Sequence, residues 1–267
     1  MTPDEMINDL RTILEDWEYE PGKISVRKII GREGREKIQT RVDLGLLQLE
    51  PEGRPDGLRP HGFESLLDHQ EHRLAEHRQR GADDTDFALT PDECRALRHE
   101  AYIYYQRFLS LFVLEEYDAV ERDTAHNLRL MDLCRQFAAD TSDRGALEPQ
   151  RAYVMMMHTR AVALQALDRN QAEQALQLVS AGRTRIAAVL TEQAGEPPAP
   201  TRSELRLLHE LAGEILDQLP EDAPAKLQQR LQEAVADEDY ELAAALRDQL
   251  AGRVPAAAPT PPTAGGD

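Results

Sequence analysis

The sequence predicts a mainly α-helical protein: a helical bundle or repeat-like helical array, with a small β-hairpin region near its N-terminus and a helical hairpin near its C-terminus. Three observations predict it. Leu, Ala, Glu, Arg and Gln dominate a chain of 267 residues whose aromatics are only 5%, which favours helices over a sheet-rich sandwich. Apolar residues recur at helical spacing almost continuously from Pro91 to about Leu190. The period falls to two in a single short stretch, from about Ile24 to Leu46.

Composition also bounds function. The formal net charge of -18 argues against bulk nonspecific binding to nucleic acid or an anionic membrane, although a local basic patch is compatible with it. Cys94 and Cys134 form no Cys-x2-Cys pair, so they read as buried free thiols of a reducing compartment. The N-terminus Met1-Thr2-Pro3-Asp4-Glu5 lacks a basic segment followed by an apolar core, so no signal peptide is expected. The run Leu109–Leu114 is too short to span a bilayer, and the expected location is the cytoplasm.

In chain order, residues 1–80 read as a helix, a β-hairpin and a Gly/Pro-rich loop. Thr2-Pro3-Asp4-Glu5 starts a helix whose face carries Met6, Leu10, Ile13, Leu14 and Trp17, and Pro21-Gly22 ends it. Ile24, Val26 and Ile30 then alternate in part, and Ile38, Thr40, Val42, Leu44 and Leu46 alternate more cleanly, with Gln39, Arg41 and Asp43 on the other face. Two strands joined through Gly31–Glu36 are the simple reading. Because a lone hairpin is marginal, it should pack on the first helix, pair with a third strand or join another copy.

The hairpin carries Lys23, Arg27, Lys28, Arg32, Arg35, Lys37 and Arg41 against Glu33 and Glu36, seven cations less two carboxylates, or +5. It serves either an acidic protein partner, internal charge pairing, or nucleic acid; Gly31-Arg32-Glu33-Gly34 imitates the Gly-x-x-Gly loop of a KH domain. Pro51 to Gly62 is a long turn-forming loop of the kind that is often functional. A polar helix follows with His69, His72 and His77, whose arc invites a metal, but no carboxylate or cysteine completes a ligand spacing. No metal or cofactor is expected.

Residues 90–219 form the helical scaffold. Thr90-Pro91-Asp92-Glu93 combines an N-cap, Pro at the first position and a capping-box Glu. Two stretches resemble one another at an offset of 51–53 residues: Ala101-Tyr102 through Glu116-Tyr117-Asp118-Ala119, and Ala152-Tyr153 through Asn170-Gln171-Ala172. The pattern resembles a degenerate tetratricopeptide unit, and two antiparallel hairpins in a bundle explain it as well. The Tyr, Phe and Met residues within it read as core. Pro-rich Glu196–Pro200 interrupts the scaffold, and Leu205, Leu208, Leu211, Ile215 and Leu219 mark one further helix.

Residues 225–251 are the most specific stretch. Leu227, Leu231, Ala234 and Val235 give one apolar stripe; Asp237-Glu238-Asp239 interrupts it; Tyr240, Ala243, Ala244, Leu246 and Leu250 give a second. Each half is too short to be stable alone, so the two must close on each other and present an edge to something else. Residues 253–267 read as a disordered tail.

The pattern Leu-x3-Leu-x2-Ala-Val-x2-Glu-Asp-Tyr-Glu-x-Ala-Ala-x-Leu-Arg-Asp resembles the UVR motif of the bacterial excision-repair proteins UvrB and UvrC, found also in the Clp ATPase ClpC and its regulator McsA. Leu231, Ala234, Glu238, Tyr240, Glu241, Ala243, Ala244, Leu246, Arg247 and Asp248 fall on its characteristic positions. The resemblance implies a helical hairpin that docks onto a like hairpin or another protein, through Leu227, Leu231, Val235, Tyr240, Leu246, Arg247 and Leu250 here. The segment from Glu20 to Gly62 is also similar to one in bacterial UVR-motif proteins of uncharacterised type.

No nucleophile–base pair, phosphate-binding Gly-rich loop or metalloprotease spacing stands out, so the chain is expected not to be an enzyme. The expectation is a protein–protein adaptor, with homo-oligomerisation as one form of docking. The alternatives are a nucleotide-excision-repair accessory touching DNA through residues 23–41, or an adaptor of a Clp-type ATPase. McsA-like Cys-x-x-Cys zinc sites are missing, and residues 221–250 hold eight acids against Lys226, Arg230 and Arg247, which disfavours nucleic acid as the hairpin's own ligand.

Overall fold

The computed structural model describes residues 10–195, 198–199, 202–236 and 238–251. The expected helix start at Thr2 and the expected tail at 253–267 lie outside them. The chain divides into two compact units, residues 1–209 and 210–267.

In the first unit a short helix α1 (Arg11–Leu14) precedes a three-stranded antiparallel meander of β1 (Val26–Ile30), β2 (Glu36–Val42) and β3 (Gly45–Leu49). The two-strand expectation is corrected: the cleaner alternating stretch is two strands, not one. Asp43-Leu44 is a two-residue turn, and Val42 pairs with Gly45 across it. The turn changes the parity, so Leu47 and Leu49 join Ile38 and Thr40 on one face, while Leu46 lies opposite Arg41 on the other. Leu44, counted on the apolar face by its period, sits 92% exposed at the turn. Ile38 and Leu49 are buried, and Thr40 Oγ1 meets Ser110 Oγ at 2.6 Å, which places this face against the scaffold.

The helices are α2 (Leu66–Gln79), α3 (Pro91–Val113), α4 (Tyr117–Phe137), α5 (Thr141–Gly145), α6 (Glu148–Asp168) and α7 (Ala172–Ala194). The expected cap of α3 is present in full: Thr90 Oγ1 accepts from Glu93 N, and Thr90 N donates to the Glu93 carboxylate. The long helices pack in chain order, α3 on α4, α4 on α6 and α6 on α7. They form two stacked hairpins rather than a closed ring. The connecting turns lie 55 residues apart, at Glu115 and Asn170, so the true offset is slightly longer than side-chain matching gives. The aromatic and Met expectations hold for Tyr104, Phe108, Met156 and Met157, which are buried, but Tyr102 is 54% exposed.

Residues Glu50–Gly62 are clamped by buried charge. Arg107 forks onto Asp123 at 2.6 and 2.7 Å and also donates to the Glu50 and Gly53 carbonyls at 3.0 and 2.8 Å. Arg122 donates to the Pro51 carbonyl at 2.9 Å and to Asp123 at 3.0 Å. Glu100, fully buried, accepts from the Leu66 and Leu67 amides at 2.7 and 3.0 Å, with Arg54 Nη1 3.3 Å away. A carboxylate on α3 therefore caps the N-terminus of α2, where its charge suits the helix dipole. The glycines supply the left-handed corners at Gly53, Gly57 and Gly62. The first part of the loop, Glu50–Arg54, is thus held against the scaffold, while Asp56–Arg59 stay exposed.

Helix α8 (Ser203–Gln218) begins in the first unit and ends in the second, with Leu208, Leu211 and Ile215 buried in a heptad-like stripe. The second unit, from Glu210 onward, contains α9 (Pro224–Ala236) and α10 (Tyr240–Ala251), which pack on each other as a hairpin. No helix among the described residues is long and apolar enough to cross a membrane.

Candidate interaction hairpin and basic sheet

The α9–α10 hairpin is built by its local sequence. Pro224 opens α9 at a position that needs no amide, and Lys226 Nζ ties back to the Leu219 carbonyl at 3.2 Å and to Glu221 at 2.7 Å. At the turn Glu238 adopts φ 58°. The Asp239 amide donates to the Ala234 carbonyl at 2.8 Å and the Glu238 amide to Val235 at 3.2 Å, a Schellman closure of α9. Asp239 then caps α10, its Oδ1 accepting from Leu242 N at 3.1 Å. Tyr240 is the first residue of α10 and points its bulk away from the seam, 69% exposed.

The seven residues expected to meet a partner fall into two groups. Leu227 and Leu246 are buried with Ala234 and Ala243 in the hairpin's own seam, and Leu231 and Leu250 pack half-buried at its margins. They close the hairpin. Val235 at 52%, Tyr240 and Arg247 face solvent, and Leu242, which the stripe did not include, is 40% exposed. The accessible apolar surface thus sits around the turn rather than along the seam.

The same turn occurs twice in the scaffold. At α3–α4 Glu115 has φ 61° and the Glu116 amide donates to Leu111 O at 3.0 Å; at α6–α7 Asn170 has φ 59° and the Gln171 amide donates to Ala166 O at 2.8 Å. Counted from the left-handed residue, the buried positions four before and five after are Leu111 and Val120, Ala166 and Ala175, Ala234 and Ala243. Three hairpins therefore share one closure, and Glu115-Glu116-Tyr117-Asp118 parallels Glu238-Asp239-Tyr240-Glu241. The difference lies in the tyrosine. Tyr117 packs edge-on to Phe112 at 5.6 Å, whereas Tyr240 is left in solvent.

Most cations of the basic segment are engaged within the fold. Arg27 Nε donates to Gln39 at 2.9 Å, and its guanidinium lies 4.1 Å over Trp17. Lys28 pairs with Glu36 and Glu116, and Lys37 with Glu33 and Glu50. Arg41 donates to the Val42 and Gly45 carbonyls at 2.6 and 2.7 Å. Lys23 pairs with Glu20 at 2.7 Å. Burial would lower the Lys28 ammonium, but its bonds to Glu116 and Glu36 outweigh that and raise it. Arg35 stands exposed, 3.8 Å from Glu33, and Arg32 is exposed with no ion pair among the described residues. The Gly31–Gly34 stretch is a β-turn, its Gly34 amide donating to Gly31 O at 2.9 Å, and it runs into strand β2 where a KH loop needs a helix.

The three histidines of α2 diverge. His69 stacks on His61 at 4.2 Å, His72 lies 3.4 Å from Glu76, and His77 meets the Asp83 carbonyl at 2.8 Å. Among the described residues no group of three or more His, Cys, Asp or Glu could hold a metal.

Residues 225–252 match the family model of the UvrB/uvrC motif, so the motif read from the sequence is present and coincides with α9–α10. No curated protein and no solved structure matches the chain.

Proposed function

We propose that this chain is a non-catalytic adaptor that engages a protein partner through the turn end of its α9–α10 hairpin. The observation that carries the reading is the division of labour inside the motif. Leu227, Ala234, Ala243 and Leu246 hold the hairpin closed, while Val235, Tyr240 and Leu242 remain exposed. Side chains already satisfied in a seam cannot also bind, whereas exposed aliphatic and aromatic groups near one turn are available to an interface. The motif's occurrence in excision-repair proteins supports a partner in that pathway or, equally, a Clp-type ATPase. A second copy of the hairpin is a further eligible partner.

The test is affinity capture from the native host with full-length wild type and with Val235→Asp plus Tyr240→Ala. Loss of capture with an unchanged circular-dichroism melt is expected. Undiminished capture by the folded variant refutes the reading. Leu246→Asp is unsuitable, because it opens the seam.

A nucleic-acid reading rests on Arg32 and Arg35 at the β1–β2 turn, the exposed remainder of the basic segment. It predicts salt-sensitive DNA binding that Arg32→Glu with Arg35→Glu abolishes. Absence of binding at low salt refutes it.

A further inference from the structure

The α3–α4 hairpin is closed at one end by the Glu115 turn. At the opposite end Leu89 lies alongside the last turn of α4, its amide donating to Phe137 O at 2.8 Å and its carbonyl accepting from Ala139 N at 3.0 Å. Behind this ladder sit both cysteines of the chain. Cys94 is in the first turn of α3 and Cys134 in the last turn of α4, both buried, each seven residues toward the open end from Ala101 and Asn127, whose carbonyl and Nδ2 bond across the hairpin at 3.0 Å. They share one apolar cluster with Leu97, Leu130 and Leu147. Two thiols brought together from positions 94 and 134 are more than two small apolar fillers, because each is the other's reaction partner.

A hollow borders this cluster: Leu147 and Val154 belong to it and also line an open space of about 470 Å³ between α3 and α6, together with Arg98.

We propose that Cys94 and Cys134 are a redox modification site, a buried dithiol that a peroxide converts to an intrachain disulfide stapling the open end of the α3–α4 hairpin. The balance is two S–H bonds and one O–O bond broken, one S–S bond formed and two waters released. Cys94 is the first nucleophile. Burial raises both thiols, and Cys134 the more, up to about 12. Its attack on peroxide expels one water and leaves a sulfenic acid. The Cys134 sulfur then attacks that sulfur, expelling the second water. The product covalently closes the segment between the two helix ends, which restricts the unfolded chain.

The experiment uses the full, reduced chain below its melting temperature, treated with hydrogen peroxide. Expected are loss of both titratable thiols, an intact mass lower by two hydrogens, and a Cys94–Cys134 cross-linked peptide. The oxidised chain stays monomeric by this bond, melts several degrees higher and reverts with dithiothreitol. Cys94→Ser and Cys134→Ser should show no two-hydrogen loss and no rise in melting temperature. The wild-type peptide map decides the matter even if either variant fails to fold. The proposal is overturned if both thiols survive until the chain unfolds, if oxygen is added without a cross-link, or if the disulfide joins two chains.

Discussion

Gly182 on α7 permits a sharp test of how closely the two helices of the second hairpin approach. An added Cβ there would lie 2.9 Å from Thr159 Cβ and well inside van der Waals contact of its Cγ2 and Oγ1. Carbon pairs rest at about 3.5–4.0 Å, so something must move. Thr159 is 2% exposed and its Oγ1 donates to the Met155 carbonyl at 2.8 Å, so its rotamer is fixed by packing and by that bond. In a helix interior Gly→Ala by itself gains about 1 kcal/mol. Overpacking a buried contact costs about 1–3 kcal/mol. The net expectation for Gly182→Ala is a loss of about 0–2 kcal/mol, a fall of up to roughly 4–8 °C in melting temperature for a domain of this size. Gly213, within α8, is the control: a Cβ there meets nothing within 4 Å, so Gly213→Ala should gain about 1 kcal/mol. Adding Thr159→Ala to Gly182→Ala removes the two closest atoms and should recover part of the loss, a coupling of at least about 0.5 kcal/mol. Calorimetry on these three variants and on Thr159→Ala alone, which completes the cycle, reads all of this. If Gly182→Ala stabilises as Gly213→Ala does, the close approach of α6 and α7 is wrong.

Further tests address the turns, a cap and the buried carboxylate. Glu115→Gly, Asn170→Gly and Glu238→Gly each relieve a left-handed backbone at φ near 60° and should stabilise their hairpins by about 1 kcal/mol; denaturant midpoints that fall in all three would sink the shared-turn reading. Asp239→Ala removes the cap on Leu242 N and should lower the stability of the second unit by about 1 kcal/mol, read by far-ultraviolet circular dichroism on heating. For Glu100, burial pushes the carboxyl up, but His126 and the Leu66 and Leu67 amides together hold it below the ordinary 4.5. A depressed folded value means its stabilisation is complete above that range and disappears as pH falls through the lowered value. Glu100→Gln should therefore lose stability at neutral pH and show a flatter acid limb; an unchanged acid profile would remove Glu100 from the account.

The elements legible from sequence were those with local causes. The Thr90–Glu93 capping box, the periodic stripes of α3 to α7 and the acidic turn before Tyr240 depend on neighbours in the chain, and local patterning reads neighbours. A third strand is among the expectations, but periodicity alone does not show that it starts after Asp43. A two-residue turn with an exposed Leu44 at its corner prolongs an apolar alternation whose parity has already changed. The loop Glu50–Gly62 looked irregular because its anchors, Arg107, Asp123, Glu100 and Arg122, are supplied from residues 100–123. No local signal announces a bond of that span. The same holds for the basic segment: its composition showed +5, but Glu50 and Glu116, which neutralise Lys37 and Lys28, are distant in sequence.

The hairpin itself shows why a motif and its binding surface are different sets of residues. The stripe of Leu and Ala first has to make two short helices into a folded object, since neither 13 nor 12 residues suffice for an isolated helix. Leu227, Ala234, Ala243 and Leu246 are consumed in that task. The two scaffold hairpins solve the same problem with the same turn, and in the first of them Tyr117 packs back on Phe112 of its own hairpin. What distinguishes α9–α10 is therefore the aromatic and aliphatic groups left over once its closure is complete. Tyr240, Val235 and Leu242 are those groups, and they sit beside Glu238 and Asp239. On the proposed docking, a matching partner offers an apolar pocket flanked by positive charge. Free DNA meets neither demand with an acidic surface, and a basic-rimmed protein groove meets both.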